Sequence, residues 1–275
     1  MVQLFECYRQ MIFERFLRLF LAVAFVVIGN FPSQAKMLDD ILHTKVLKVC
    51  IWPDYYGISY HNPLNGKFQG IDIVLSNALA NELNVQLDYV ETDFSHVVED
   101  LETNKCQIAM MGVGVTPQRA AHIDFSSPYL RSDVYAIASR SNESIRTWED
   151  IDARGRVVVV QKGTFMEPLM QKTLRHAALS VVDQAGEREL EVKSGRADVF
   201  ITDYPYSQRM LKSADWIKVI GPSHPIQPTD YAYAIPKGNA EWLARINQFV
   251  SHIKKDGVLA EAAAPYNLLP IIVTE

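Results

Sequence analysis

Residues able to do chemistry collect in this chain just after short, β-branched apolar runs. The run at 47–51 leads into Trp52, Pro53, Asp54, Tyr55 and Tyr56, and that at 86–90 into Glu91, Thr92, Asp93 and Phe94. After 107–111 come Gly112, Val113, Gly114, Val115, Thr116, Pro117, Gln118 and Arg119. The four valines at 157–160 give way to Gln161, Lys162, Gly163, Thr164 and Phe165, and the run at 199–202 to Asp203 and Tyr204. The inventory is aromatic rings, glycines with backbone N–H groups, one Arg, one Thr and one Asp. Such a set suits a small zwitterion. A guanidinium with backbone and hydroxyl donors grips a carboxylate, and a carboxylate with ring faces receives an ammonium. Singly, Arg119 also reads as a surface charge and Asp203 as a helix cap. Other chemistries lack their patterns: the seven histidines show no H-x-x-x-H spacing, Ser126 and Ser127 have no nucleophile-elbow context, and no G-x-G-x-x-G follows a strand. Neither a metal nor a cofactor is expected.

These residues are positioned by strands that alternate with amphipathic stretches. Strands are expected at 47–51, 86–90, 107–111, 134–138, 157–160, 180–182, 199–202 and 231–235. Helices are expected at 72–83, 95–103, 147–151, 167–175, 188–194 and 240–255. Alternation of this kind implies βαβ units on a parallel sheet, and open α/β sheets bind ligands beyond the carboxyl ends of their strands. The pattern runs through two blocks and leaves the strand at 231–235 and the helix at 240–255 without partners in the second. A discontinuous first lobe accommodates them, giving residues 36–133 with 234–275 as lobe 1 and 134–233 as lobe 2. No low-complexity linker separates the blocks, so two short hinge strands are expected to join them.

The chain's 275 residues are 48% hydrophobic and 21% charged, with a net charge of −5. That composition excludes a disordered or disulfide-dense chain, and without a basic stripe it argues against nucleic-acid binding. Arg15 and Arg18 precede the uncharged run LFLAVAFVVIG at 19–29, which is short for a membrane span of about 20 residues and of signal-peptide length. Residues 1–35 are read as a signal peptide cleaved after Ala35, with Met1 or Met11 as the start. The exported chain would carry 24 basic and 30 acidic residues. No cysteine follows the cleavage point to take a lipid, which favours a free periplasmic protein. Cys50 and Cys106 remain, and whether they pair is left open by their spacing.

Residues 45–265 resemble the periplasmic polar-amino-acid-binding proteins of ABC transporters, the family 3 solute-binding proteins. The resemblance rests on TPQRAAHIDFSSPYL (116–130), with NGKFQGIDIVLSNALANEL (65–83), VQKGT (160–164), GRADVFITD (195–203) and YAYAIPKGN (231–239) in order. It implies a periplasmic-binding-protein-like fold, two α/β lobes with a ligand cleft between them. Arg119 and Thr164 would then hold the ligand α-carboxylate, Gly112 and Gly114 would supply backbone contacts, and Asp203 would receive the α-ammonium. Tyr55 and Phe94 would flank the side chain. Trp52 stands where glutamine-binding relatives carry an acid, which points to a more apolar or aromatic ligand side chain.

The implied function is capture of an amino acid or similar small carboxylate for an inner-membrane ABC permease, by a monomer. Cyclohexadienyl and arogenate dehydratases resemble the same scaffold and are the enzymatic alternative. They are expected to carry a Glu proton donor shortly after the T-D pair, where this chain runs Thr202, Asp203, Tyr204, Pro205, Tyr206, Ser207. Tyrosine, with an ordinary pKa near 10, is a poor acid at neutral pH. A sensory or dehydrogenase-accessory binding protein is the third reading.

Overall fold

Val46–Ile51 (β1) has alternating ends and a fully buried C-terminal half, as a strand covered on both faces requires. In the computed structural model, which describes residues 36–184 and 186–274, it lies at the heart of the first of two large sheets. The expected signal peptide, its cleavage site and the alternative start fall outside the described residues. Among the described residues no helix is long and apolar enough to cross a membrane.

After helix α1 (Lys36–Thr44) and β1, the short strands β2 (Asp54–Tyr55), β3 (Ser59–Asn62) and β4 (Lys67–Gln69) form a small antiparallel sheet. Helix α2 (Ile71–Leu83), β5 (Gln86–Glu91), α3 (Val97–Glu102) and β6 (Ile108–Gly114) follow. Strand β1 pairs in parallel with β5 on one side and β6 on the other. The chain then makes a one-turn helix, α4 (Pro117–Ala120), and two short strands, β7 (Ile123–Phe125) and β8 (Leu130–Ser132). Cys50 in β1 and Cys106, just before β6, are joined in a disulfide with Cα atoms 5.6 Å apart. The parallel pairing that aligns Val49 with Ile108 brings them together.

Beyond Asp133 the second sheet begins, with β9 (Val134–Ser139), β10 (Val157–Gln161), β11 (Ala178–Val182), β12 (Val199–Asp203) and β13 (Ile217–Ile220) in the order β11-β10-β12-β9-β13. Its helices are α5 (Met166–Thr173), α6 (Glu187–Lys193) and α7 (Tyr204–Ser213). The chain returns through residues 221–228 to β14 (Thr229–Pro236), which pairs antiparallel with β6, β7 and β8 of the first sheet. Helix α8 (Ala240–Lys255) buries Trp242, Ile246 and Phe249 and ties back to the first sheet. There the Trp242 indole donates to the Gln107 carbonyl at 2.9 Å and Arg245 pairs with Glu82 of α2 at 2.7 Å. The last helix, α9 (Val258–Ala263), also packs on α2.

Two expectations need correction. Neither large sheet is purely parallel: each is a parallel trio, β5-β1-β6 and β11-β10-β12, extended by antiparallel strands. In each sheet the antiparallel strand next to the trio, β14 or β9, follows directly on a crossing between lobes, which local periodicity does not register. The expected helix at 147–151 is a single 3₁₀ turn, Trp148–Asp150, held by a reciprocal capping box between Thr147 and Asp150.

The two crossings between sheets touch each other. The Asp133 carboxylate, on the first, accepts the backbone N–H groups of Ile226 (2.8 Å) and Gln227 (3.0 Å) on the second.

Candidate functional site

The carboxyl ends of β1, β5, β6, β10 and β12 converge on one cavity. Trp52, Tyr55, Phe94, Gly112, Gly114, Arg119, Thr164 and Asp203, the eight residues singled out in the sequence, all line it. Gln161, Phe165, Met166, Arg188, Thr202, Tyr206 and Tyr231 complete the wall.

Arg119 is placed by a local device. Thr116 caps α4 and accepts the Arg119 N–H at 3.2 Å, with Pro117 at the first helical position, where its missing N–H costs nothing. The turn sends the side chain back along β6. Nη1 donates to the Gly114 carbonyl at 2.8 Å and Nη2 to the Gly163 carbonyl, across the cleft, at 2.9 Å. The guanidinium carbon stands 5.4 Å from the centre of the Phe94 ring. Arg119 is 8% exposed, and burial pushes its pKa down to about 10. Among the described residues it makes no ion pair. A surface charge is thereby ruled out; this is a buried cation held by neutral carbonyls.

Asp203 does two jobs. It caps α7, Oδ1 accepting the Tyr206 N–H at 3.1 Å. Oδ2 accepts from the hydroxyls of Tyr55, across the cleft, and of Tyr231, the latter at 2.6 Å. Burial and the Asp203 charge hold both tyrosines well above their ordinary pKa, so they stay protonated donors. Three hydrogen bonds use three of about four acceptor positions on the carboxylate, leaving one for a further donor.

Three rings close the first-lobe side. Trp52 lies 5.5 Å from Tyr55 and 5.2 Å from Phe94, and Tyr55 lies 5.9 Å from Phe94, in tilted or edge-to-face arrangements. Rings packed edge to face hold one another in place and present apolar surface to a ligand.

The glycines differ from expectation. Gly112 has φ +66°, and a Cβ there would meet the Tyr55 ring at 3.0 Å. Its N–H is not free, because it donates to the buried carboxylate of Asp72 at 2.9 Å. Gly114 contributes the carbonyl that holds Arg119, and a Cβ on it would sit 3.0 Å from Phe165. The Thr164 hydroxyl donates to the Gln161 carbonyl at 2.7 Å. All three line the cavity, but in this arrangement they shape it and orient Arg119 more than they offer spare donors.

Several wall residues escaped sequence reading. Gln161 and Phe165 lay within the inspected loops, and Thr202 precedes the aspartate. Tyr231 falls in the strand expected at 231–235 and Arg188 in the helix expected at 188–194, neither marked as a site by its neighbours. No local signal marks Tyr231, whose role depends on β14 crossing to the first sheet.

Residues 47–268 match the family model described as bacterial extracellular solute-binding proteins, family 3. Curated relatives include a cyclohexadienyl dehydratase of Pseudomonas aeruginosa, 25% identical over 90% of this chain and 92% of that one. An L-cystine-binding protein of Escherichia coli is 25% identical over 86% of this chain and 88% of its own. The crystal structure of an ancestral amino acid-binding protein, described as a precursor of cyclohexadienyl dehydratase, superposes with a TM-score of 0.77. It is 32% identical, covering 83% of this chain and 98% of that one. With that match over most of the chain and two lobes facing a common cleft, the protein belongs to the bacterial extracellular solute-binding proteins of family 3.

Proposed function

We propose that this protein is a periplasmic receptor that captures one amino acid, or a closely related small carboxylate, and presents it to an inner-membrane ABC permease. The observation that carries the reading is Arg119: a buried guanidinium with no ion pair among the described residues, in one cavity with a single carboxylate, Asp203. Arg119 holds the α-carboxylate and Asp203 takes the α-ammonium at its remaining acceptor position. Thr164, Gly112 and Gly114 define the carboxylate end. Trp52, Tyr55 and Phe94 pack the side chain, which favours one with apolar or aromatic surface. The receptor acts as a monomer, without a cofactor and without nucleic acid, after export through a cleaved signal peptide.

Capture requires closure. Tyr55, Phe94 and Arg119 come from the first sheet's side of the cleft and Thr164 and Asp203 from the second's, so only a closed cleft makes every contact at once. The lobes would be residues 36–133 with 234–275, and 134–233, turning about the crossings that Asp133 links. Pairing of β14 with β8 from Thr229 onward draws 229–233 to the first sheet as well.

The dehydratase relative favours a second reading, catalysis, which the wall residues oppose. Asp203 is the sole carboxylate among the described residues lining the cavity, and Tyr206, after the T-D pair, has its pKa raised by burial. Tyr55 and Tyr231 are raised as well, so none of the three lining tyrosines is poised to give a proton at neutral pH. A thermal-shift screen of the mature chain against the common amino acids, with prephenate and arogenate added, tests both. A stabilising amino acid with no aromatic product supports the receptor. Turnover of prephenate or arogenate overturns it.

A further inference from the structure

Arg188, the second residue of α6, is a second buried guanidinium in the same wall, at 3% exposure. Its protein contacts do not satisfy it. Nη1 reaches the Ile201 carbonyl only at 3.4 Å, and Nε is buried with no hydrogen-bond partner. Two ring faces flank it: the guanidinium carbon is 5.3 Å from the centre of Phe200 and 4.4 Å from that of Tyr206. It makes no ion pair among the described residues. The adjacent acid, Glu189, instead accepts from the Tyr206 hydroxyl. Gln161, in the same lining, also has a buried Oε1 without a partner.

The cavity wall therefore carries two cations, Arg119 and Arg188, and one anion, Asp203. Its tyrosines, Tyr55, Tyr206 and Tyr231, all have raised pKa values and are neutral. A ligand with one carboxylate and one ammonium would match Arg119 and Asp203 and leave Arg188 buried and unpaired. Enclosing an unpaired charge is costly, and a second carboxylate on the ligand removes that cost. A guanidinium suits such a group, since its planar fork meets a carboxylate with two parallel hydrogen bonds.

We propose that Arg188 is the specificity-determining residue of the cleft, binding a second carboxylate of the ligand, so that the substrate class is a dicarboxylic amino acid. The assignment rests on the amino-acid-receptor reading above. The ring cluster of Trp52, Tyr55 and Phe94 covers the carbon skeleton between the two acids.

Calorimetry of the exported chain, residues 36–275, tests it with L-glutamate, L-aspartate and arogenate against the monocarboxylic L-glutamine, L-leucine and L-phenylalanine. At least one dicarboxylic probe is expected to bind about 30-fold or more tightly than every monocarboxylic one, the loss typical of leaving a buried charge unpaired. In Arg188→Gln that ratio collapses toward unity. Arg188→Lys, which keeps the charge but not the fork, holds an intermediate ratio and serves if the Gln variant does not fold. Arg119→Gln weakens both classes. A monocarboxylic amino acid that binds as tightly as the dicarboxylic probes overturns the role of Arg188 and leaves the receptor reading standing. Binding of none of the six overturns the role of Arg188, and a thermal-shift screen in which no common amino acid stabilises the chain overturns the receptor reading as well.

Discussion

Asp72 shows how far a single side chain can organise this cleft without lining it. Fully buried in α2, it accepts from the Gly112 N–H at 2.9 Å and the Tyr129 hydroxyl at 2.7 Å, and so anchors the positive-φ backbone of Gly112 within β6. Desolvation outweighs those hydrogen bonds and raises its pKa to about 7 from the ordinary carboxylate range. A carboxyl whose pKa is higher folded than unfolded adds stability while protonated. That contribution is full below about pH 4 and fades as pH rises through about 7. Asp72→Asn, which mimics the protonated group, is expected to flatten this part of the pH profile. The unfolding free energy of the wild-type chain from denaturant titration, relative to that of Asp72→Asn, should fall between pH 4.5 and 7.5 by an amount on the order of 1–4 kcal/mol. A constant difference across that range would mean Asp72 is ionised throughout.

Among the elements, the cleft is closed by one loop meeting another at atomic distance. Gly163, between β10 and α5, has φ +75°, and a Cβ on it would lie 2.5 Å from Ser95 Oγ, 2.6 Å from Ser95 N and 2.8 Å from the Phe94 carbonyl carbon. Those atoms belong to the loop after β5, on the opposite side of the cleft, and backbone cannot give way as a flexible side chain would. Gly163→Ala thus combines an unfavourable positive φ with an obstruction to closure. It is expected to weaken ligand binding at least tenfold in calorimetry while costing only about 1–2 kcal/mol of stability in denaturant titration. Unchanged affinity would show that the two loops do not meet in the bound state. Helix α8 occupies the residues its periodicity indicates, 240–255, because its buried stripe is local to the sequence. Most strands fall within one to three residues of expectation, and the residues beyond their carboxyl ends do line one cavity. What was not legible depends on distant partners. Antiparallel β14 reads as an ordinary strand until it crosses to β6, and the Gly112 N–H looks free until Asp72, 40 residues away in the chain, takes it. Arg188, set between glutamates in E-R-E-L-E, looks like a solvated helix face, and only burial among rings shows otherwise. Helix α7 was masked by its Pro205, and Asp203, which reads as either cap or site, caps that helix and also lines the cavity.

For the whole molecule the account requires that the lobes close on a ligand they share. Cross-cleft contacts already join them, with Arg119 donating to Gly163 and Tyr55 to Asp203, and Lys212 3.2 Å from the Tyr56 hydroxyl. These hydrogen bonds exchange readily for water, so the ligand-free protein is expected to open about the Asp133 crossings. Small-angle scattering should show a smaller radius of gyration when the chain is saturated with the amino acid that the thermal-shift screen selects. An unchanged radius would contradict closure. The most direct measurement of the central claim is calorimetry of Arg119→Ala with that same amino acid. Removing one partner of a buried, charge-assisted pair costs on the order of 2–5 kcal/mol, so affinity should fall at least about 30-fold in a variant that remains folded. Wild-type affinity in folded Arg119→Ala would contradict the account, because the one cation it assigns to the ligand's α-carboxylate would then have no part in binding.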